Sequence, residues 1–317
     1  MEFNITFYAV VIAIVKLFIL MSVGYLLYHY RVIDDKFTDT LSLLLVRVIF
    51  PALIISKTIT HFSFKEYAFW WVLPVSAIVF SLGGMLMGLA ASALGRFPSR
   101  KEFMCSCGFQ NCGYLPMNLI LFAFAGSMAD RLLIYVFLFI VGFNILMWSL
   151  LPLFLTGRLR EGFKISIFMN SPVVATVFSL FWVAAMGRDS MPAVIMDPLR
   201  QLGQAAFPVA MLTLGAYLSR YRAHAPENGM AVTSCVGIKL LLFPLVVLAA
   251  LKFAPLAADL KLFLFLQSIM PTAVSLVVIG SYTDSDNRFF SSSIFYSHVI
   301  AIFSIPVWLA VFQAFIG

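Results

Sequence analysis

Charge is what this sequence has least of. Only 11% of its 317 residues are Asp, Glu, Lys or Arg, against roughly 25% in an average soluble domain, while 62% are hydrophobic. A water-soluble core cannot absorb that much apolar surface, so soluble classes are excluded. Acidic side chains are scarcer still where it matters: all 14 fall at termini, in polar links or near the ends of apolar runs. No carboxylate is placed at membrane depth to bind sodium or relay a proton.

Other absences exclude other functions. There is no Gly-rich phosphate loop, no zinc spacing, no paired carboxylate and no Ser/His/Asp constellation, so neither an enzyme nor a cofactor or metal site is expected. Three of the four cysteines, Cys105, Cys107 and Cys112, fall in one apolar run with no loops to staple, and read as packing residues. The net charge of +7 comes without a basic run or an aromatic-basic stripe, which excludes nucleic acid as a partner. The first charged residues are Glu2 and Lys16, so a positively charged leader is missing and the first run is expected to stay in the membrane.

What is present is apolar length. Ten runs approach the about 17–25 residues needed to span a bilayer: Ile5–Tyr30, Leu41–Ile59, Phe69–Leu94, Phe103–Gly126, Leu132–Leu155, Pro172–Gly187, Leu199–Ser219, Ala231–Leu251, Leu260–Tyr282 and Phe289–Phe315. Short polar links such as Arg31–Asp39, Gly95–Glu102, Gly157–Asn170 and Tyr221–Gly229 join them. The expectation is an all-α polytopic protein forming one membrane domain in the cytoplasmic (plasma or inner) membrane, with the lipid bilayer as its surroundings. Lys and Arg are retained on the cytoplasmic side. With the N-terminus outside, the inner links hold eleven (Arg31, Lys36, Arg96, Arg100, Lys101, Arg158, Arg160, Lys164, Arg220, Arg222, Arg288) and the outer links seven (Lys57, Lys65, Arg131, Arg188, Arg200, Lys252, Lys261). Both termini are therefore expected outside.

The prolines suggest a repeat. Phe50-Pro51 answers Phe207-Pro208 at an offset of 157 residues, Pro116 answers Pro271 at 155, and Pro152 answers Pro306 at 154, each close to half the chain. Gln110 and Gln267 precede the second pair. An odd number of spans per copy inserts the second copy upside down. The expected architecture is two inverted five-helix repeats, 1–156 and 171–317, joined by a cytoplasmic linker, 157–170. Proline in a helix removes a hydrogen bond at a cost of about 3 kcal/mol, and lipid offers no water to replace it, so unwound backbone marks a cavity or a protein-lined site. The fourth run is expected to break over Gln110–Asn118 and the ninth over Gln267–Ser275. Half-helix N-termini at such a crossing present N–H groups and a positive dipole end to an anion. Candidate substrate-binding residues are Gln110, Asn111, Gly113, Tyr114, Pro116, Asn118, Gln267, Ser268, Pro271, Thr272 and Ser275. A carboxylate is expected on N–H groups near Gly113 and Thr272.

At these residues the chain resembles the auxin efflux carrier family, in a short, bacterial-type form. The matching segments are Arg47-Val-Ile-Phe-Pro51-Ala-Leu53, Asn111-Cys-Gly-Tyr-Leu-Pro116, Pro208-Val-Ala-Met-Leu-Thr-Leu-Gly215, Met270-Pro271-Thr-Ala and Ser304-Ile-Pro306-Val-Trp308-Leu. The resemblance, shared more distantly with bile acid:sodium symporters, implies a ten-helix carrier of mono- or dicarboxylates. It also implies an elevator-like transport domain around the crossed fourth and ninth spans, moving against the first, second, sixth and seventh. A homodimer is compatible with it. The long hydrophilic central loop of plant auxin carriers is absent.

Charges inside the runs complete the candidates. Arg47, one turn before Pro51, stands where the related pattern more often has a neutral residue, and is a substrate or counter-ion candidate. Lys16 and Lys239 are weaker candidates, with snorkelling or packing on carbonyls as the plain alternative. His298 is the one group in mid-run that titrates near neutrality, hence the proton-coupling candidate. A secondary active transporter of a small organic anion is the expected function. A channel or membrane-embedded sensor on the same fold, or a sodium symporter using Ser268, Thr272 and Ser275, are the alternatives.

Overall fold

The computed structural model describes residues 7–95, 97, 99–157, 170–222 and 229–316. Among the described residues the chain is all-helical, and backbone bridging of strand type is confined to one isolated antiparallel bridge between Gln110 and Thr272.

Helix α1 (Phe7–His29) ends at a turn in which Arg31 takes the left-handed conformation, φ 58°. Asp34 then caps α2 (Asp35–His61), accepting from the Phe37 N–H at 2.7 Å. After α3 (Val72–Gly95) come two short helices, α4 (Arg100–Gly108) and α5 (Tyr114–Ala123), and the long α6 (Gly126–Thr156). The second half holds α7 (Ser171–Met186), α8 (Ala193–Tyr221), α9 (Gly229–Phe253), the short pair α10 (Ala258–Ser268) and α11 (Ser275–Thr283), and α12 (Asn287–Phe315).

Among the described residues seven helices, α1 to α3, α6, α8, α9 and α12, are long and apolar enough to cross a bilayer. The runs expected as single fourth and ninth spans are each a pair of short helices, of 9 and 10 and of 11 and 9 residues. At about 1.5 Å per residue, each short member reaches roughly half way through the hydrocarbon layer. The sixth run is a 16-residue helix.

Proline shapes the long helices in a specific way. Its ring collides with the carbonyl one turn back, and it has no N–H to offer that carbonyl. Helices α2, α6 and α9 each widen into a π-turn, at Leu45–Ile49, Leu146–Leu150 and Ile238–Leu242, just before Phe50-Pro51, Leu151-Pro152 and Phe243-Pro244. In α9 the carbonyl that Pro244 cannot serve, Leu240 O, accepts from Trp308 Nε1 of α12 at 2.7 Å. The proline pairs seen in the sequence differ locally. Pro306 sits in an uninterrupted α12 and Pro208 follows the interruption of α8 at Ala205, whereas their counterparts Pro152 and Pro51 follow π-turns.

In lipid, where every face is apolar, small residues decide how closely helices approach. Helix α1 lies along the second half of α8, and a Cβ at Gly24 or Gly215 would run into the backbone oxygen of Leu212 or Met21. Gly142 of α6 meets the Pro74 oxygen of α3 in the same way. Helix α2 packs on α7 and on the first half of α8.

Candidate functional site

The chain leaves the helix at Phe109 and re-enters it at Tyr114, and again leaves at Ile269 and re-enters at Ser275. Gly113 is the N-cap residue of α5, and Pro116 lies in its first turn, where an N–H would have no intrahelical partner anyway. The first break therefore ends at Gly113 rather than running to Asn118, and Pro116 and Asn118 belong to α5. Gln267 and Ser268 close α10, Pro271 and Thr272 lie in the second break, and Ser275 opens α11.

Each break supplies the other's missing partners. The Asn111 N–H donates to Pro271 O at 2.7 Å and the Ala273 N–H to Phe109 O at 2.9 Å. Thr272 Oγ1 donates to Ser106 O at 3.3 Å, and Gln267 Nε2 to Cys112 O at 3.3 Å. Open backbone at membrane depth survives only with such partners, so neither break is stable without the other. The Thr272 N–H, expected to bind a carboxylate, already donates to Ser297 Oγ of α12 at 3.1 Å.

A buried polar group locks the crossing from behind. His298, 0% exposed, places Nδ1 2.8 Å from Ile294 O and Nε2 3.1 Å from Asn111 Nδ2. A carbonyl only accepts, so Nδ1 carries the proton, Nε2 accepts from the Asn111 amide, and the ring is neutral. Asn111 Oδ1 in turn accepts from the Leu115 N–H at 3.3 Å. Lys239, also 0% exposed, reaches the same crossing from α9.

In front of the crossing lies a cavity of about 100 Å³, whose polar lining includes Gln110, Asn111, Tyr114, Asn144, Asn170 and Ser275, with apolar walls from Phe137, Phe143 and Trp148. Among the described residues no charged side chain lines it. Tyr114, Trp148, Val274 and Ser275 also line a second cavity of about 830 Å³, which adjoins the first. The larger one is rimmed by Asp35, Asp39 and Arg220, with Arg220 Nη1 3.0 Å from Asp39 Oδ1 and Arg220 Nε 3.3 Å from Asp35 Oδ1. The first residues of α5 and α11 both face the inner cavity, and neither N-cap residue, Gly113 or Val274, offers a side-chain cap.

A family of membrane transport proteins, that of the auxin efflux carriers, matches residues 9–165 and 155–309, nearly the whole chain. The chain belongs to the auxin efflux carrier family. This carrier-family protein is thus an integral, multi-pass membrane protein of a transporter family rather than an enzyme family. It is 32% identical over 136 residues to Protein PIN-LIKES 2 of Arabidopsis thaliana, a match covering 40% of this chain and 29% of that one. The chain thus spans less than a third of the relative it matches.

Of the candidates in this family member, the structure gathers Gln110, Asn111, Gly113, Tyr114 and Ser275 on the inner cavity. Gln267, Pro271 and Thr272 hold the crossing behind it, while Ser268 and Asn118 each turn back on their own helix, donating to Phe265 O and to Tyr114 O, both at 2.6 Å. His298 lines neither cavity. Arg47 is exposed on α2 and lines neither cavity. Sequence reasoning missed Asn144, Trp148 and Asn170. Asn144 carried a signal, a lone amide inside an apolar run; Trp148 carried none, and Asn170 stood at the end of the linker.

Proposed function

We propose that the chain is a secondary active transporter of a small organic anion, a mono- or dicarboxylate, bound in the inner cavity. The observation that carries this reading is the pair of helix N-termini, α5 and α11, opening on one cavity lined by neutral amides and hydroxyls. Each N-terminus bears a partial positive charge, while the Leu115, Leu276 and Val277 N–H groups already donate to Asn111 Oδ1, Ala273 O and Val274 O. An anion is the ligand that satisfies both ends at once. Asn111, Asn144, Asn170, Tyr114 and Ser275 then fix its orientation.

In this reading the architecture is two inverted five-helix repeats in the cytoplasmic membrane with both termini outside, and the larger cavity is the cytoplasmic entrance. The crossing moves with its attached helices, in an elevator-like step, against α1, α2, α7 and α8, so that the anion is exposed to each side in turn. His298 acts by holding Asn111 rather than by carrying a proton, because both ring nitrogens are already engaged.

The test is thermal stabilisation of the detergent-purified protein by a panel of mono- and dicarboxylates, followed by counterflow of the stabilising acid in proteoliposomes. A bound ligand raises apparent stability. Asn144→Ala removes one hydrogen bond to a charged ligand, worth about 1.5–3 kcal/mol, and is expected to weaken binding by roughly tenfold or more. Absence of both stabilisation and counterflow across the panel would overturn the carboxylate assignment.

A further inference from the structure

Lys239 is the anomaly that this mechanism does not use. It lies in the π-turn of α9 and is 0% exposed, and none of the described carboxylates lies within ion-pairing distance of it. The titratable groups around it are the buried thiols of Cys107, Cys112 and Cys235. An ammonium at membrane depth without a counter-ion costs several kcal/mol and persists only where something else answers it.

Its surroundings offer the kinds of ligand that a cation takes. Nζ donates to Cys107 O at 3.3 Å and to Gln110 Oε1 at 3.4 Å, and stands 5.1 Å from the ring centre of Phe243. Cys107 is the penultimate residue of α4, so its carbonyl belongs to the negative end of that helix, at the point where the chain breaks. Carbonyl oxygen, amide oxygen and aromatic face are all ligands for a hard monovalent cation. We propose that Lys239 is a tethered cation, whose ammonium fills the place at the crossing that a free monovalent cation would otherwise take and leaves the crossing independent of sodium.

A second consequence concerns Gln110. The ammonium only donates, so it fixes the Gln110 amide with Oε1 towards α9 and leaves Nε2 buried without a partner among the described residues. Lys239 is thus a positioning residue for the cavity as well as a charge behind it. This consequence rests on the transport reading above; the tethered cation does not.

The test uses purified full-length protein at constant ionic strength, with melting followed in sodium, lithium, potassium or choline chloride. Wild type is expected to melt at the same temperature in all four salts. Lys239→Ala opens the site, so it should melt lower in choline and recover with a saturable dependence on one of the small cations. Lys239→Met fills the space with an apolar chain and should melt lower without recovery. Sodium-specific stabilisation of the wild type itself would overturn the proposal and needs no variant to be folded. So would a Lys239→Ala protein whose melting is as indifferent to the cation as the wild type's. Because melting requires no substrate, these outcomes stand whether or not a carboxylate is carried.

Discussion

Trp308 and Pro244 show how a single residue's deficit is met by another helix. Pro244 leaves the Leu240 carbonyl unserved, and Trp308 Nε1 takes it at 2.7 Å. An unsatisfied buried acceptor costs about 1–3 kcal/mol, so Trp308→Phe is expected to lower the melting temperature of the purified protein. In a Pro244→Ala background the restored N–H serves Leu240 from within α9, and the same Trp308→Phe change should cost clearly less. Equal losses in the two backgrounds would mean that the indole matters only by its bulk. Asn111 obeys the same logic. It was legible as a candidate because an amide beside Gly113 in an apolar run has to find partners; one, the Leu115 N–H, is local, but the other, His298, lies 187 residues away in sequence.

Between elements, the decisive quantity is closeness of approach. The α1–α8 contact leaves no room for a methyl group at Gly24, where an added Cβ would meet the Leu212 backbone oxygen. Gly24→Ala should therefore push the two helices apart and destabilise by about 1–3 kcal/mol, the usual range for overpacking. Gly237→Ala in α9 is the control: nothing lies within 4 Å of its added Cβ. Alanine there gains about 1 kcal/mol of helix propensity over glycine. Thermal melting of the two variants side by side checks the contrast, and a Gly24→Ala protein as stable as the control would disprove backbone contact. The sequence marked these glycines only as small residues. It did mark the breaks, because Gly113, Pro116 and Pro271 interrupt otherwise continuous apolar runs, but it placed the end of the first break too late by counting Pro116 as a breaker.

At the scale of the whole molecule, the inner cavity adjoins the larger one on the side carrying Asp35, Asp39 and Arg220. All four native cysteines are buried, so a new thiol in the larger cavity reports access cleanly. A Ser42→Cys protein should react with a membrane-impermeant thiol reagent from the Arg220 side and be protected from the opposite side, in vesicles of known orientation. Labelling from both sides equally would contradict a crossing that seals the cavity from the far side. The Arg220 pairs with Asp35 and Asp39 are partly exposed, and exposed pairs contribute little stability, so the rim can open without unfolding the protein.

Composition and hydropathy alone determined that the chain is helical, lives in lipid and crosses it many times, because 62% hydrophobic residues in long runs admit no other solvent. Local chemistry determined where two runs break. Only the tertiary structure decided which faces look inward. In α1, Leu17 and Met21 are buried while Ile19 and Val23 are exposed, all four being apolar. A bilayer accepts the same side chains as a protein core, so hydrophobic periodicity carries no phase there. For that reason Arg47 could be read as a site residue yet lie exposed on α2, and Lys239 could be read as weaker yet stand, fully buried, at the crossing.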